Sequence, residues 1–334
     1  MTELNPPKET SNGVASLAGS FFGAAFVAAA FILIALFAFS LCGRYSFAAE
    51  LVSNFRAQIL IGLFACIIGA ISFQRWWIGI LLVIATFWCS VGVLSVYLQV
   101  VQPAPGDTKI RIMSYNVLAE NQSYQDVKKQ IAKLNPDVVV IVEYDHQWHE
   151  TMQSLIDDET YPHSTRAPRW HGFGIAIFSK LPLTNTRTIQ LTPEITDAPM
   201  VTAEFMVGQQ KLRLAGLHVF SPVTANRLQI RNDQFTDAAD FLSKSTIPTV
   251  VVGDFNCAPW SPFLGDFQNR LGYRDSRTGF GYQGSWNARY YWPTLIPIDH
   301  AFVSPEVHIH DRFLGEPAGS DHYPIVVDLS LTPN

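Results

Sequence analysis

From about Ala15 to Leu41 the chain is almost wholly apolar and carries no charge. A helix needs roughly 20 residues to cross a bilayer, and this run exceeds that. It is also too long for a signal-peptide core, and no small-residue cleavage pattern stands out after it. A second apolar run covers about Ala57 to Phe73 and can extend back towards Leu51; a third covers about Ile78 to Val101. Between them, Gln74-Arg75-Trp76-Trp77 reads as a tight turn with its tryptophans at headgroup level. Buried helices of a soluble bundle are the alternative, but three nearly uncharged runs argue against it. We therefore expect a membrane domain over residues 15–101 with three transmembrane helices, in a multi-pass protein of the cell membrane. Three spans put the C-terminal part opposite the N-terminus. Charge does not orient them, because Lys8 and Arg75 fall on one side and Arg44 and Arg56 on the other. Residues 1–14, polar with Pro6, Pro7 and Gly13, read as a short disordered tail.

Composition shifts at residues 102–108, where Gln-Pro-Ala-Pro-Gly-Asp marks a linker. Beyond Gln102, acidic residues outnumber basic ones by six. A domain built to grip long nucleic acid usually carries a basic face, so this balance lowers that expectation. Of the four cysteines, Cys42, Cys66 and Cys89 lie in the apolar runs and Cys257 stands alone, so no disulfide framework is expected.

Residues 109–334 read as one soluble domain. Strands are expected at Lys109 to Val117, Asp137 to Val142, Gly174 to Phe178, Met200 to Met206, Leu212 to His218, Ile298 to Val303 and Tyr323 to Leu329. Another, Thr249 to Val252, ends at Gly253 and opens into Asp254, Phe255 and Asn256. Gln125 to Leu134 and Asn226 to Leu242 read as amphipathic helices, the second with Leu228, Phe235, Ala238, Ala239 and Leu242 on one stripe. Strands outnumber helices, so a mixed α/β sandwich is expected rather than a simple βαβ winding.

Polar residues recur where these strands end: Asn116, Glu143, His218, Asp254 with Asn256, and Asp299. Ser320, Asp321 and His322 come just before the last strand. Each alone has an ordinary explanation as a turn, cap or loop residue. Six such sites at six strand ends are harder to dismiss, since ligands of open α/β sheets bind just beyond strand ends.

These residues occur in the order found in the endonuclease/exonuclease/phosphatase superfamily, which the chain resembles from about Lys109 to Leu331. With its N-terminal spans it looks like a bacterial membrane-anchored branch, placed in the inner membrane. The resemblance implies a four-layer sandwich of two β-sheets between helices. It also implies a phosphodiesterase or nuclease that uses Mg²⁺, or Mn²⁺, in a metal-assisted in-line water attack. Carried over to this chain, Glu143 is the metal ligand, with Asn116 and Asp321 holding the ion or its water shell. Asp254 aligns the water and Asn256 donates to a phosphate oxygen. His322 is general base or phosphate contact, Asp299 fixes its tautomer, and His218 steadies the phosphate. Two positions depart from the pattern: Leu118 stands where some nuclease branches have an acid, and Val142 replaces the glutamine that often precedes the family's glutamate.

Trp286, in an aromatic stretch with Tyr282, Tyr290, Tyr291 and Trp292, is expected to wall the substrate site, although a packed loop explains it equally well. Arg169, with Arg166, His171, Arg227 and Arg231, is a candidate phosphate contact. The tether and the acidic balance lean towards a lipid headgroup or small phosphodiester as substrate, with nucleic acid as the alternative. A non-catalytic membrane scaffold is the competing class, and the complete acid, amide and histidine set argues against it. A transporter is a poor reading, because Arg56 is the one internal charge expected in the spans.

Overall fold

The computed structural model describes residues 11–98, 108–155 and 159–332. Residues 1–10 of the expected tail and nearly all of the expected linker lie outside these; Ser11 to Val14 are already helical.

Four helices precede the domain: α1 (Ser11–Ser40), α2 (Phe47–Ser53), α3 (Arg56–Ser72) and α4 (Trp76–Leu98). Among the described residues, two helices, Phe21–Ser40 and Trp76–Leu98, are long and apolar enough to cross a membrane. The expected second span is not a third. Helix α3 has 17 residues, about 25 Å at 1.5 Å per residue, short of the ~30 Å hydrocarbon core. It gains length only together with α2, from which it is bent by 70°. Leu63, Leu82, Ala85 and Cys89 pack between the helices, while Phe31, Phe64, Ile80 and Phe87 face outwards.

The domain begins with β1 (Ile110–Asn116), α5 (Tyr124–Leu134), β2 (Val138–Val142), α6 (His146–Leu155), β3 (His163–Ala167) and β4 (Ile175–Ser179). It continues with β5 (Thr184–Leu191), β6 (Ala198–Val207), β7 (Gln210–His218), α7 (Ala225–Leu242), β8 (Thr249–Asp254), α8 (Pro262–Leu271) and β9 (Arg274–Asp275). It closes with β10 (Asp299–Val303), β11 (Val307–Leu314) and β12 (Ile325–Leu331). These strands form two six-stranded sheets, ordered β11-β12-β1-β2-β4-β3 and β5-β6-β7-β8-β10-β9. Both are mixed: β1 runs parallel to β2 and β7 to β8, and the other pairs are antiparallel. Val140, Ile175, Ile177, Val201, Leu214 and Val252 fill the space between the sheets. Helices α5 and α6 cover the outer face of the first sheet through Val127, Ile131, Trp148 and Met152, and α7 and α8 cover the second through Phe235, Ala238, Leu264 and Phe267. Helix, sheet, sheet and helix make four layers.

Local chemistry fixes the helix ends. Thr224 caps α7 by accepting from the Arg227 N–H. Pro262 opens α8, and Gly272 closes it in the left-handed region at φ 65°. The stripe expected on α7 is buried.

The apolar helices are fastened to the domain by the bend between α2 and α3. Glu50, fully buried, pairs with Arg231 of α7 at 2.8 Å and accepts from Ser261 at 2.5 Å. Asn54 accepts from the Ala258 N–H, and Trp260 donates to the Ser53 carbonyl. Arg44 forms a bidentate pair with Asp266 at 2.8 and 2.9 Å. Arg231, expected as a phosphate contact, is therefore committed to the bend.

Candidate active site

Parallel pairing of β1 with β2 and of β7 with β8 brings four strand C-termini to one edge of the sandwich. Antiparallel pairing sets Asp299, at the start of β10, opposite Asp254. The segment before β12 returns to the same edge beside β1. Asn116, Glu143, His218, Asp254, Asp299 and His322, spread over 207 positions of sequence, meet there.

The Asn116 amide nitrogen lies 2.9 Å from Glu143 Oε1 and 3.1 Å from Asp254 Oδ2, so it bridges the two carboxylates. Its carbonyl oxygen accepts from the Leu118 N–H at 3.0 Å. That backbone donor settles the orientation of the amide. Asn116 thus points N–H groups at the acids and has its oxygen engaged elsewhere, which suits orienting ligands rather than being one.

Glu143 follows β2 with φ at 60°, while Leu118 and Asn256 are also in the left-handed region at 61° and 50°. Such backbone costs of order 1–3 kcal/mol per residue and is kept where surrounding bonds over-determine it. The Glu143 carboxylate is held by Asn116 and by the Ala119 N–H at 2.9 Å. Burial pushes its pKa up, against these two bonds.

Gly253 explains why Asp254 can sit where it does. Its φ is 148°, and a Cβ there would lie 1.8 Å from the Leu217 carbonyl oxygen. Only glycine lets β8 run this close to β7. Asp254 Oδ1 accepts from the Asn256 N–H at 2.9 Å, and burial pushes its pKa up to about 6, against the pull of His322 and His218.

Burial alone would lower the His322 pKa, but the carboxylates of Asp299, Asp254 and Asp321 drive it up to about 10. Its Nδ1 lies 2.9 Å from Asp299 Oδ2, and its Nε2 lies 3.7 Å from Asp254 Oδ2. Burial would likewise raise Asp299, yet His322 holds it below the usual range. His218 differs: burial lowers its pKa, and its Nδ1 lies 3.1 Å from the Gly172 carbonyl. A carbonyl only accepts, so Nδ1 carries the proton and Nε2 faces the site. Ser320 anchors the last segment by donating to the Asn116 main-chain carbonyl at 2.7 Å and accepting from the His322 N–H at 3.0 Å.

These groups lie at the floor of a cavity of about 1060 Å³. Glu143, His218, Asp254, Asn256, Trp286, Asp321 and His322 line it, while Asn116 and Asp299 stand behind them. Trp286 donates to Asp321 Oδ2 at 3.1 Å. Asn256 donates one amide N–H to the Val219 carbonyl at 2.9 Å, which leaves the other. Arg169 does not line the cavity; its guanidinium is engaged by Asp197 at 2.8 Å. Arg227 does line it.

Leu51, Asn54 and Phe55, from the bend between α2 and α3, also line the cavity. The sequence reading missed them. The available signal was Glu50, an acid beside an apolar run that needs a buried partner.

Asp254, Asp299 and His322 form a buried cluster whose ligand atoms lie within 4.8 Å of one another. No curated protein sequence matches this chain. Among solved structures, TDP2 of D. rerio in complex with a single-strand DNA product has a TM-score of 0.57 at 18% identity, covering 67% of this chain and 100% of that one. The human Nocturnin catalytic domain with a bound sulfate anion has a TM-score of 0.55 at 21% identity, covering 67% and 95%. An endonuclease/exonuclease/phosphatase from Beutenbergia cavernae has a TM-score of 0.54 at 18% identity, covering 68% and 72%. At these identities the likeness establishes the fold. The family model described as Endonuclease/Exonuclease/phosphatase matches residues 113–322, well over half of the sequence, and on that match the chain belongs to the endonuclease/exonuclease/phosphatase family.

Proposed function

We propose that this protein is a membrane-anchored phosphoesterase that uses a divalent cation to cleave a phosphate ester by in-line attack of water. One observation carries the reading. Glu143, Asp254, Asp299 and Asp321 surround a single site, and among the described residues no lysine or arginine forms an ion pair with any of these four carboxylates; Arg277 and Arg312 reach Asp299 only through its backbone carbonyl. Hard oxygens with surplus negative charge fit Mg²⁺ or Mn²⁺. Burial disfavours the charged form of Glu143, a cost that a cation relieves. Glu143 and Asp321, both facing the cavity, would hold the ion and its waters, with Asn116 fixing Glu143. The cluster of Asp254, Asp299 and His322 is the alternative seat. When bound, the ion supplies charge neutralisation on the phosphate oxygens.

The chain's own residues then divide the proton work. His322, charged at neutral pH by its carboxylate neighbours, donates from Nε2 to a phosphate or leaving oxygen. Asp254, pushed up to about 6, can take a proton from water near neutral pH. His218, held neutral, offers its Nε2 lone pair beside it, and Asn256 offers its free amide N–H. Anchoring is supported by the two long apolar helices, whose most apolar windows are only 17% and 22% buried.

The test is hydrolysis of bis(p-nitrophenyl) phosphate by the purified full chain with Mg²⁺ or Mn²⁺. Activity should vanish with EDTA and return with excess metal. If no phosphoester is hydrolysed in a chelator-sensitive way, the reading fails and a non-catalytic scaffold replaces it. The TDP2 complex with single-strand DNA favours a nuclease as second reading. The chain's net charge of −5 weighs against it.

A further inference from the structure

The cavity has two unlike sides. Glu120, Gln122, Asp145 and Gln147 line one of them. Leu51, Phe55, Val223 and Ile296 contribute to the other, with Phe55 45% and Val223 60% exposed. The apolar side is the one nearest the membrane helices, since Phe55 is the residue from which α3 starts. A second segment is held at the same level. Gln58, in the first turn of α3, donates to the Pro293 carbonyl at 2.6 Å and the Leu295 carbonyl at 2.9 Å. This pins the loop that carries Tyr290, Tyr291 and Trp292, exposed by 62, 90 and 68%. Exposed tyrosine and tryptophan beside the end of an apolar helix match the aromatic belt of a bilayer interface. The same stretch of chain supplies Trp286 and Ile296 to the cavity wall. Both the bend and the aromatic loop therefore join the cavity wall to the start of the apolar helix α3.

We propose that the cavity draws its phosphoester from the bilayer, so that the substrate class is a membrane lipid. The headgroup phosphate reaches His322 and Glu143 on the polar side, and the first part of the acyl region lies along Leu51, Phe55 and Val223. This rests on the phosphoesterase reading. A nucleobase can stack on Phe55 or Trp286 but has no match in the aliphatic Leu51, Val223 and Ile296, whereas an amphiphile matches both sides. The reaction is hydrolysis: water adds to phosphorus, one P–O ester bond breaks, and the leaving oxygen takes a proton.

The experiment uses the full chain in phosphatidylcholine nanodiscs that also contain phosphatidylethanolamine and phosphatidylglycerol, with Mg²⁺ or Mn²⁺. Lipid products are read by mass spectrometry. Parallel samples receive soluble glycerophosphoglycerol, a single-stranded oligonucleotide or bis(p-nitrophenyl) phosphate. Expected are chelator-sensitive turnover of a lipid in the disc and at least tenfold slower turnover of glycerophosphoglycerol and the oligonucleotide. Phe55→Ser should raise the lipid mole fraction needed for half-maximal rate at least fivefold. Hydrolysis of bis(p-nitrophenyl) phosphate without lipid turnover, or faster cleavage of the oligonucleotide or the free headgroup, overturns the lipid inference and leaves the phosphoesterase reading standing. No hydrolysis of any of them, bis(p-nitrophenyl) phosphate included, removes both.

Discussion

Replacing Arg231 with methionine should cost the protein a large part of its stability. Arg231 and Glu50 are both fully buried, 2.8 Å apart. At an effective dielectric constant of ~20, that separation corresponds to a gross attraction of about 6 kcal/mol, offset in part by the loss of water from both groups. The guanidinium also reaches Asn232 Oδ1 at 3.0 Å and the Asn256 carbonyl at 3.4 Å. Without it, Glu50 keeps only the Ser261 hydroxyl, and its Oε2 already lacks a partner. Breaking a buried pair from one side costs roughly 3–5 kcal/mol, against a typical total of about 5–15 kcal/mol. For a domain of this size that is a fall of roughly 6–20 °C in Tm. Thermal unfolding of the intact chain in detergent micelles measures it. The double variant Glu50→Met with Arg231→Met should recover most of the loss, because two apolar side chains leave no buried charge. A single-variant cost below about 1 kcal/mol, or a double variant no better than the single, refutes the reasoning.

His322→Ala should lower turnover of bis(p-nitrophenyl) phosphate by about 10²–10⁴-fold with Mg²⁺ affinity little changed; a loss under tenfold would remove His322 from the chemistry. Glu143→Gln should raise the Mg²⁺ concentration for half-maximal activity by about 10–100-fold, and an unchanged metal titration would show that Glu143 is no ligand. Asp275 pairs with Arg277, which donates to the Asp299 carbonyl: burial would raise its pKa, but Arg277, His300 and Arg312 overcome this and hold it below the usual range. A carboxylate depressed on folding stabilises the protein above its unfolded pKa of about 3.9, and that contribution is lost as pH falls through the lower folded value. Asp275→Asn should therefore be less stable than the parent at pH 7, with the gap closing below about pH 4; a gap that does not change between pH 7 and pH 3 in urea titrations contradicts this assignment.

What the sequence revealed of the fold divides by position in the sheets. All eight strands expected from the apolar pattern are present, at β1, β2, β4, β6, β7, β8, β10 and β12, and all eight are inner strands. The four not expected, β3, β5, β9 and β11, are the four sheet edges. The reason is physical. An inner strand such as Val138–Val142 is buried throughout and reads as an apolar run. An edge strand such as Thr184–Leu191, with five exposed residues at its start, carries polar and charged side chains that discourage pairing with other chains. The apolar runs before the domain misled for a related reason. Apolar length was visible, but the break at Asn54 and Phe55 is imposed by partners some 200 positions away, Arg231 and Ala258.

The site was legible to the extent that its residues lie at the ends of inner strands. Sheet order, not local sequence, decides whether such ends meet, and the parallel pairs β1 with β2 and β7 with β8 bring them together. Arg169 and Arg231 were misjudged because a charge on a helix or loop carries no sign of where its partner lies; Asp197 takes one and Glu50 the other. The apolar wall of the cavity was illegible for a deeper reason. Leu51 and Phe55 belong by composition to the apolar runs, and only the docking of Glu50 and Asn54 turns them towards the reaction site. The fastening of the apolar helices to the domain and the shaping of the apolar side of the cavity are thus one set of contacts. A change that loosens the Glu50–Arg231 pair should therefore alter which substrates the site accepts as well as how stable the chain is.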